Sequence, residues 1–342
     1  MRKAALGLGT RTLGEGQPCL VIAQVASAHE GSADTALRMI EAAFKMGADA
    51  IAFQVFRAES LLVRRHPQRK DLEAVELTDK EWRRVLEAAK ASGLAVLAEA
   101  FDQPSLERAA ASGAHAVQVH PGDLENPELI RAAAAQRRPV FLCAGGQPEP
   151  LVREALELAG EEVALAHGFP GSPAAPEEMR LGEIASAKER YRVPVGFLDT
   201  ADGGSAFALV APALAAAQGA DFVEKHFTLD RSRKGHDYAA SLSPEDFYRM
   251  VELLRQAERA RGDLVPASGA EAKRSLRGLR RSIVAGTLIA RGEVLAAPML
   301  AFKRTDERFE PGLPPREAHR VIGRRAARPI QAEETIREDM LE

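Results

Sequence analysis

Short, almost wholly apolar runs alternate along the chain with longer stretches whose apolar residues recur every three or four positions. The short runs are Cys19–Ala26, Asp49–Phe56, Leu94–Phe101, Ala114–His120, Pro139–Ala144, Glu162–His167, Val193–Leu198 and Asp221–His226. Continuous apolar runs of this length predict strands covered on both faces, as in a parallel sheet. Between them, Leu37, Ile40, Ala43 and Phe44 repeat at helical spacing. Thr78-Asp-Lys-Glu81 predicts a capping box ahead of Trp82 and Leu86. Asp102 with Pro104, and Ser243 with Pro244, predict two more helix starts. The segments Met46–Gln54, Ser112–His120 and Gln218–His226 share one pattern: a glycine that ends a helix, an apolar strand, then a polar residue where the strand ends. Repetition of this strand–helix unit predicts an α/β fold, a (β/α)₈ barrel.

The alternation stops near Gly262. Residues 263–280 mix proline, serine, glycine and charge and predict a linker, so the expected division is a barrel over 1–262, a linker over 263–280 and a small β-rich domain over 281–342. In the last part, Ser282–Ala285, Arg291–Leu295, Leu300–Arg304 and Val321–Ala327 predict short strands, turns and a helical turn. So small a module buries little apolar surface by itself and is expected to dock elsewhere.

Composition adds limits rather than an identity. A formal charge of -3 gives no basic surface for nucleic acid or an anionic membrane. No apolar run approaches the roughly 18 residues of a membrane helix, and the N-terminus lacks the apolar core of a signal peptide. A cytoplasmic enzyme-sized protein is expected. Cys19 and Cys143 lie inside apolar segments and are expected to be buried thiols.

In a barrel the chemistry gathers at the C-terminal ends of the strands. His29, His120, His167 and His226 fall at or just past such ends, and His236 lies in the loop after the last strand. There the chain becomes specific. Glu224–Asp237, followed by Ala240-Ser241 and Pro244–Phe247, resembles the end of the barrel in the sialic acid synthase family. Ile22–Gly31 and Gly47–Gln54 are similar to that family's opening. Gly292-Glu293, Phe302–Arg304 and Ile322–Arg324 look like its antifreeze-like (SAF) C-terminal domain. The similarity runs through nearly the whole chain.

The resemblance implies an enzyme that condenses phosphoenolpyruvate with the open-chain aldehyde of an N-acyl hexosamine, giving a nonulosonic acid. It implies a divalent metal, manganese or magnesium. It also implies a homodimer in which the C-terminal domain of one copy caps the barrel of the other. The catalytic positions it assigns are Gln24, Asp123 and His226, the first two standing where the family has glutamates. Substrate-binding positions are Gln54, Asp237 and Arg304, with His29 and Gln118. The metal position is His226, with His29 or Glu30 as its partner.

The departures from the family lie on the donor side. Ala52 and Gln118 stand where the family has lysines, and Pro121, Cys143-Ala144 and Pro170 replace polar residues. Thr200 replaces a metal-ligand histidine. The phosphoenolpyruvate site is therefore expected to be altered, and the metal weakly held or absent. Arg57, Arg64, Arg65, His120 and His167 are candidates for a rebuilt anion site. Three readings remain open: a synthase with a rebuilt site, a related aldol-type barrel using another donor, and a catalytically silent sugar-binding paralogue.

Overall fold

A computed structural model describes residues 5–342 except 15, 170, 234, 236, 263–268, 270–275, 277–278 and 306–311. His236, Pro170 and nearly all of the expected linker lie outside the described residues. The chain divides into two compact units, Met1–Gly262 and Asp263–Glu342.

The first unit opens with an antiparallel hairpin, β1 (Ala5–Leu8) and β2 (Arg11–Gly14). Eight parallel strands follow: β3 (Leu20–Gln24), β4 (Ala50–Val55), β5 (Ala95–Ala100), β6 (Ala116–Val119), β7 (Val140–Cys143), β8 (Val163–His167), β9 (Val195–Asp199) and β10 (Phe222–His226). They close into a barrel in which β10 pairs with both β9 and β3. Seven of the eight expected runs contain their strand, β9 passes the end of its run by one residue to Asp199, and every boundary agrees to within about three residues. The hairpin was not expected. Its strands are four residues each, broken by Gly7 and Gly9, and carry no run long enough to announce themselves.

Side-chain alternation explains why the strands read as unbroken apolar text. Odd and even positions both meet apolar neighbours, one set inside the barrel and one against the surrounding helices. The inner set is Leu20, Ile22, Ala50, Ala52, Ala95, Leu97, Ala116, Phe141, Cys143, Ala164, Ala166 and Phe222, closed from below by Leu6, Leu8 and Leu13 of the hairpin. The outer set includes Val21, Ile51, Phe53, Val96, Val117, Leu142 and Phe197, packed on the helices. Inside, two phenylalanines take most of the space. Phe141 and Phe222 meet edge to face at 5.0 Å between centroids. A Cβ on Gly196 would lie 2.4 Å from the Phe222 ring, so β9 must carry glycine there.

The repeated glycine pattern has a second function. Gly47, Gly113 and Gly219 each take a positive φ after a helix. The polar residue two places on then accepts a main-chain N–H from the strand before it. Asp49 accepts from Val21 at 3.0 Å, His115 from Val96 at 2.9 Å and Asp221 from Val195 at 2.8 Å. Each unit thereby satisfies a backbone donor near the start of its neighbour. The expected helix starts are present. Thr78 and Glu81 form the capping box, and Asp102 and Ser243 accept from the N–H groups of Ser105 and Asp246.

The second unit pairs β11 (Arg281–Ala285) with β12 (Leu300–Arg304), antiparallel. Its core is Ile283, Ile289, Leu295, Val321, Ala326, Ile330, Ile336 and Met340. Of the other two expected segments, Arg291–Leu295 and Val321–Ala327 form single bridges, Val294 to Arg325 and Ala326 to Leu341, and a helical turn spans Ala318–Val321. Cys19 and Cys143 are buried and unpaired.

One charged pair lies between the strands and the helices. Lys225 and Asp199 are register partners on β10 and β9, both fully buried, 3.2 Å apart. Lys225 also donates to the Ala201 carbonyl at 3.0 Å. Burial pushes the Asp199 carboxyl up and the Lys225 ammonium down, each opposed by the other's charge. Such a pair gives little net stability, but either charge left alone is costly. Lys225→Met should destabilise the protein by about 3–5 kcal/mol in urea denaturation. The double variant with Asp199→Leu should recover most of that loss. A small effect of the single variant would show that Asp199 finds another partner.

Candidate functional site

The inward register that fills the barrel with alanine and phenylalanine becomes polar one step further up. Gln24 follows Leu20 and Ile22 on β3, and Gln54 follows Ala50 and Ala52 on β4. Glu99 follows Ala95 and Leu97 on β5, Gln118 follows Ala116 on β6, and Glu224 follows Phe222 on β10. These five line a small cavity of about 140 Å³ at the C-terminal ends of the strands. His120, Thr200, His226 and Asp237 form its wall.

The floor is a network of amides and carboxyls. Glu224 Oε1 accepts from Gln24 Nε2 at 3.1 Å and from Gln118 Nε2 at 3.2 Å. Gln24 Oε1 accepts the Ala26 N–H at 3.0 Å, which fixes its amide orientation. Gln54 Nε2 donates to Glu99 Oε2 at 2.8 Å. Glu99 and Glu224 are 3% and 5% exposed, so water does little to stabilise their charge. Burial pushes the Glu99 carboxyl up to about 7, with Asp237 and Asp123 adding to the rise and Gln54 opposing it. Burial, then the neighbouring Glu99, pushes Glu224 up to about 8. Burial thus favours the protonated form of both carboxyls.

Burial holds both histidines of the wall below the ordinary imidazole value. Burial lowers His226, with Asp237 opposing, and its Nδ1 is buried without a partner. Burial also lowers His120, whose Nδ1 accepts the Gly122 N–H at 3.1 Å and whose ring tilts against Phe101. A larger groove of about 780 Å³ opens beside the mouth. Several of its charges already pair with one another, Glu149 with Arg153 and Arg190, and Arg180 with Glu183. The smaller cavity is therefore the candidate for chemistry.

Five of the expected site residues converge there: Gln24, Gln54, Gln118, His226 and Asp237. Others do not. Asp123 sits half-buried in the turn Pro121–Asp123, outside the lining, hydrogen-bonded to Asn126. His29 is fully buried with its ring edge on Trp82, its Nδ1 accepting from Gly31 at 3.2 Å, and burial pushes it down to about 4. Glu30 accepts from the Tyr238 hydroxyl at 2.7 Å and pairs with Arg233. Neither is among the residues that line the cavity with His226. The chain bends away after β3, so proximity to a strand end did not fix direction. Arg304 ends β12 in the second unit and is exposed.

The candidates for a rebuilt anion site do not gather at the cavity. Arg57 pairs with Asp79 at 2.8 Å, His167 bonds the Met179 carbonyl at 2.9 Å, and Arg64 and Arg65 are exposed. Of that group only His120 reaches the cavity. Glu99 and Glu224 were missed. Each acid follows the inward apolar positions of its strand at the same spacing, and that signal was readable.

The donor set does not suit a divalent cation. Manganese or magnesium takes about six oxygen or nitrogen ligands in a fixed geometry. Here one free imidazole nitrogen stands near a threonine whose Oγ1 already donates to the Phe169 carbonyl at 3.4 Å. Among the described residues no three histidine, cysteine or acidic side chains are grouped to hold a metal.

Comparison with known proteins agrees on one group. The NeuB family model matches residues 39–265 and the SAF domain model residues 280–342. The N,N'-diacetyllegionaminic acid synthase of Legionella pneumophila is 26% identical over 352 residues, covering 96% of each chain. A pseudaminic acid synthase of Campylobacter jejuni is 29% identical, covering 93% of this chain and 95% of its own. The crystal structure of the N-acetylneuraminic acid synthetase from Leptospira borgpetersenii superposes with a TM-score of 0.74 at 25% identity, covering 80% of this chain and 95% of its own.

The raised Glu99 carboxyl has a signature in stability. The unfolded chain loses this proton near pH 4.3, whereas the folded chain keeps it to about 7. Between those values the unfolded state binds fewer protons, so this group's contribution to stability is lost as pH rises through the window. Glu99→Gln should therefore gain stability relative to the parent between about pH 4.5 and 7.5, measured by urea unfolding at each pH. A pH-independent difference between the two proteins would refute the shift.

Proposed function

Because the chain belongs to the NeuB family, the sialic acid synthases, we propose that it binds an N-acyl hexosamine in the barrel mouth and forms a carbon–carbon bond at the sugar's aldehyde, aldol-fashion, with a donor other than phosphoenolpyruvate. One observation carries this reading. Among the described residues lining the cavity there is no lysine or arginine, while four acids are there, Glu99, Asp199, Glu224 and Asp237, of which Asp199 is paired with Lys225 behind it. Phosphoenolpyruvate brings a phosphate and a carboxylate. Enclosing that charge among acids without a cation costs far more than hydrogen bonds return. Where the resemblance implies lysines, Ala52 offers a methyl group and Gln118 an amide already bonded to Glu224.

The sugar side has what a polyhydroxylated aldehyde needs. Gln54 and Asp237 offer donors and acceptors around the mouth. A carboxyl kept protonated by burial can donate a hydrogen bond to the oxygen that gains charge as the aldehyde is attacked. Glu99 and Glu224 stand in that position. His226, neutral and with a free Nδ1, can accept or pass a proton. No step is routed through a metal, because the donor set does not suit one. A second reading, sugar binding without turnover, is favoured by Gln24, whose amide cannot exchange a proton where the resemblance implies a glutamate.

Calorimetry of the full chain, with N-acetylmannosamine and phosphoenolpyruvate as separate titrants, each with and without manganese, tests the proposal. The sugar should bind. Phosphoenolpyruvate should bind with a Kd on the order of a millimolar or weaker, since each missing charge-assisted bond costs about 1.5–3 kcal/mol. Manganese should change neither. Ala52→Lys with Gln118→Lys should tighten phosphoenolpyruvate at least about tenfold. Micromolar phosphoenolpyruvate binding by the unmodified chain would contradict the reading, and consumption of the aldehyde in the presence of candidate donors separates turnover from binding alone.

We further propose a cytoplasmic homodimer in which Arg304 of one copy serves the sugar site of the other. Two-fold assembly is the commonest closed form, and a SAF unit with so small a core needs a surface to dock on. No helix among the described residues is long and apolar enough to cross a membrane. Light scattering at micromolar concentration should give twice 36.8 kDa. Arg304→Ala should weaken N-acetylmannosamine without altering that mass. A monomer, or unchanged sugar affinity in the variant, would count against the arrangement.

A further inference from the structure

Asp237 reaches the cavity from the loop after β10, and its backbone does so in a conformation that needs support. Its φ is 61°, in the left-handed region that residues other than glycine occupy when their surroundings hold them there. Its carbonyl accepts from the Ala240 N–H at 3.1 Å and the Ser241 hydroxyl at 2.8 Å, whereas its carboxylate takes no hydrogen bond from the described residues. The place of that carboxylate in the cavity wall is therefore set by the main chain, and by whatever fixes the main chain.

The base of the loop is closed by main-chain bonds. The Thr228 N–H donates to Leu242 at 3.1 Å, the Leu242 N–H to His226 at 3.0 Å, and the Gly203 N–H to Ala239 at 2.8 Å. Nearer Asp237 the hold comes from Glu30, on the loop after β3. The Tyr238 hydroxyl donates to Glu30 Oε1 at 2.7 Å, and Arg233 pairs with Oε2. One carboxylate thus grips residues on either side of Asp237. The two grips are unequal. The Arg233 side chain is 57% exposed, and such surface pairs are worth little. Tyr238 is buried, with Gly235 so close that a Cβ there would lie 2.9 Å from its ring, and its bond to a carboxylate is charge-assisted. Glu30 is itself anchored. Its N–H donates to Ser27 at 2.9 Å, the preceding His29 is buried against Trp82, and the following Gly31 lies against the Ala74 carbonyl where a Cβ would not fit.

We propose that Glu30 is a positioning residue: through the buried Tyr238 hydroxyl it ties the loop after β10 to the loop after β3 and so presents Asp237 to the barrel mouth. This rests on reading that mouth as the sugar site. It gives Glu30 and Tyr238, neither of which lines the cavity, a share in the affinity for the sugar. Asp237 held in this way also brings negative charge near Glu99, which it helps to raise. Glu99 therefore reports where Asp237 stands without any ligand.

A carbon-13 NMR titration of Glu99 in the full chain reads the tie. Removing a negative neighbour eases ionisation, so Asp237→Asn should lower the Glu99 midpoint from about 7 by about half a unit or more. Tyr238→Phe and Glu30→Leu should each lower it by most of the same amount. In the Asp237→Asn background, Tyr238→Phe should add nothing. Glu30→Gln, which keeps an acceptor for the Tyr238 hydroxyl, should stay near the parent. Calorimetry with N-acetylmannosamine should follow the same order, with Tyr238→Phe at least about tenfold weaker than the parent. Thermal melts confirm that the variants are folded. A tyrosine with only a structural role would lower the melting temperature and leave Glu99 where it was, which would overturn the proposal. So would a Glu99 midpoint unmoved by Asp237→Asn, or additive shifts in the double variant. If the parent binds no N-acetylmannosamine, the sugar reading fails, while the Glu99 titration still decides the tie.

Discussion

Everything at the mouth of this barrel follows from one constraint: the inside of a closed eight-stranded barrel has to be filled by side chains at alternate positions. Below, that rule is met by alanines, two phenylalanines and the leucines of the N-terminal hairpin. Above, the same register brings Gln24, Gln54, Glu99, Gln118 and Glu224 to a common layer. These side chains have nowhere to turn except toward one another. Their protonation, their hydrogen bonds and their unpaired atoms are consequences of that enforced meeting.

The layer is electrostatically unusual for a site expected to take an anion. An acid becomes a neutral donor when burial removes its water and no cation replaces it. Burial raises Glu99 and Glu224 in this way, and Asp199 and Asp237 line the same cavity. The one buried cation on the neighbouring strand positions, Lys225, faces the other way and is occupied by Asp199. Ala52 and Gln118 bring no positive charge to the floor, so no cation there favours the ionised form of its acids.

The barrel was legible in the sequence because buried parallel strands leave continuous apolar runs and because capping residues mark the helices between them. Thr78, Asp102 and Ser243 all cap as their spacing indicates. The hairpin was illegible, being too short and too rich in glycine. Half of the site was readable. Gln54, Gln118 and His226 lie at strand ends and point inward as alternation requires. His29 and Glu30 lie beyond an end, where alternation no longer governs, and the loop carries them to Trp82 and Tyr238. Arg57 is drawn off by Asp79 from a distant helix, a contact that no local pattern encodes. Glu99 and Glu224 needed only the alternation rule applied to the acids as well as to the histidines.

The protonation of the floor is the claim on which the functional reading turns, and it can be observed directly. A carbon-13 NMR titration of the glutamate side-chain carboxyls should contain two that titrate far above the rest, at about 7 and about 8. The first should vanish in Glu99→Gln and the second in Glu224→Gln. If every glutamate titrates near the ordinary value of about 4.3, the floor is a pair of carboxylates, and a neutral acid layer at the barrel mouth is wrong.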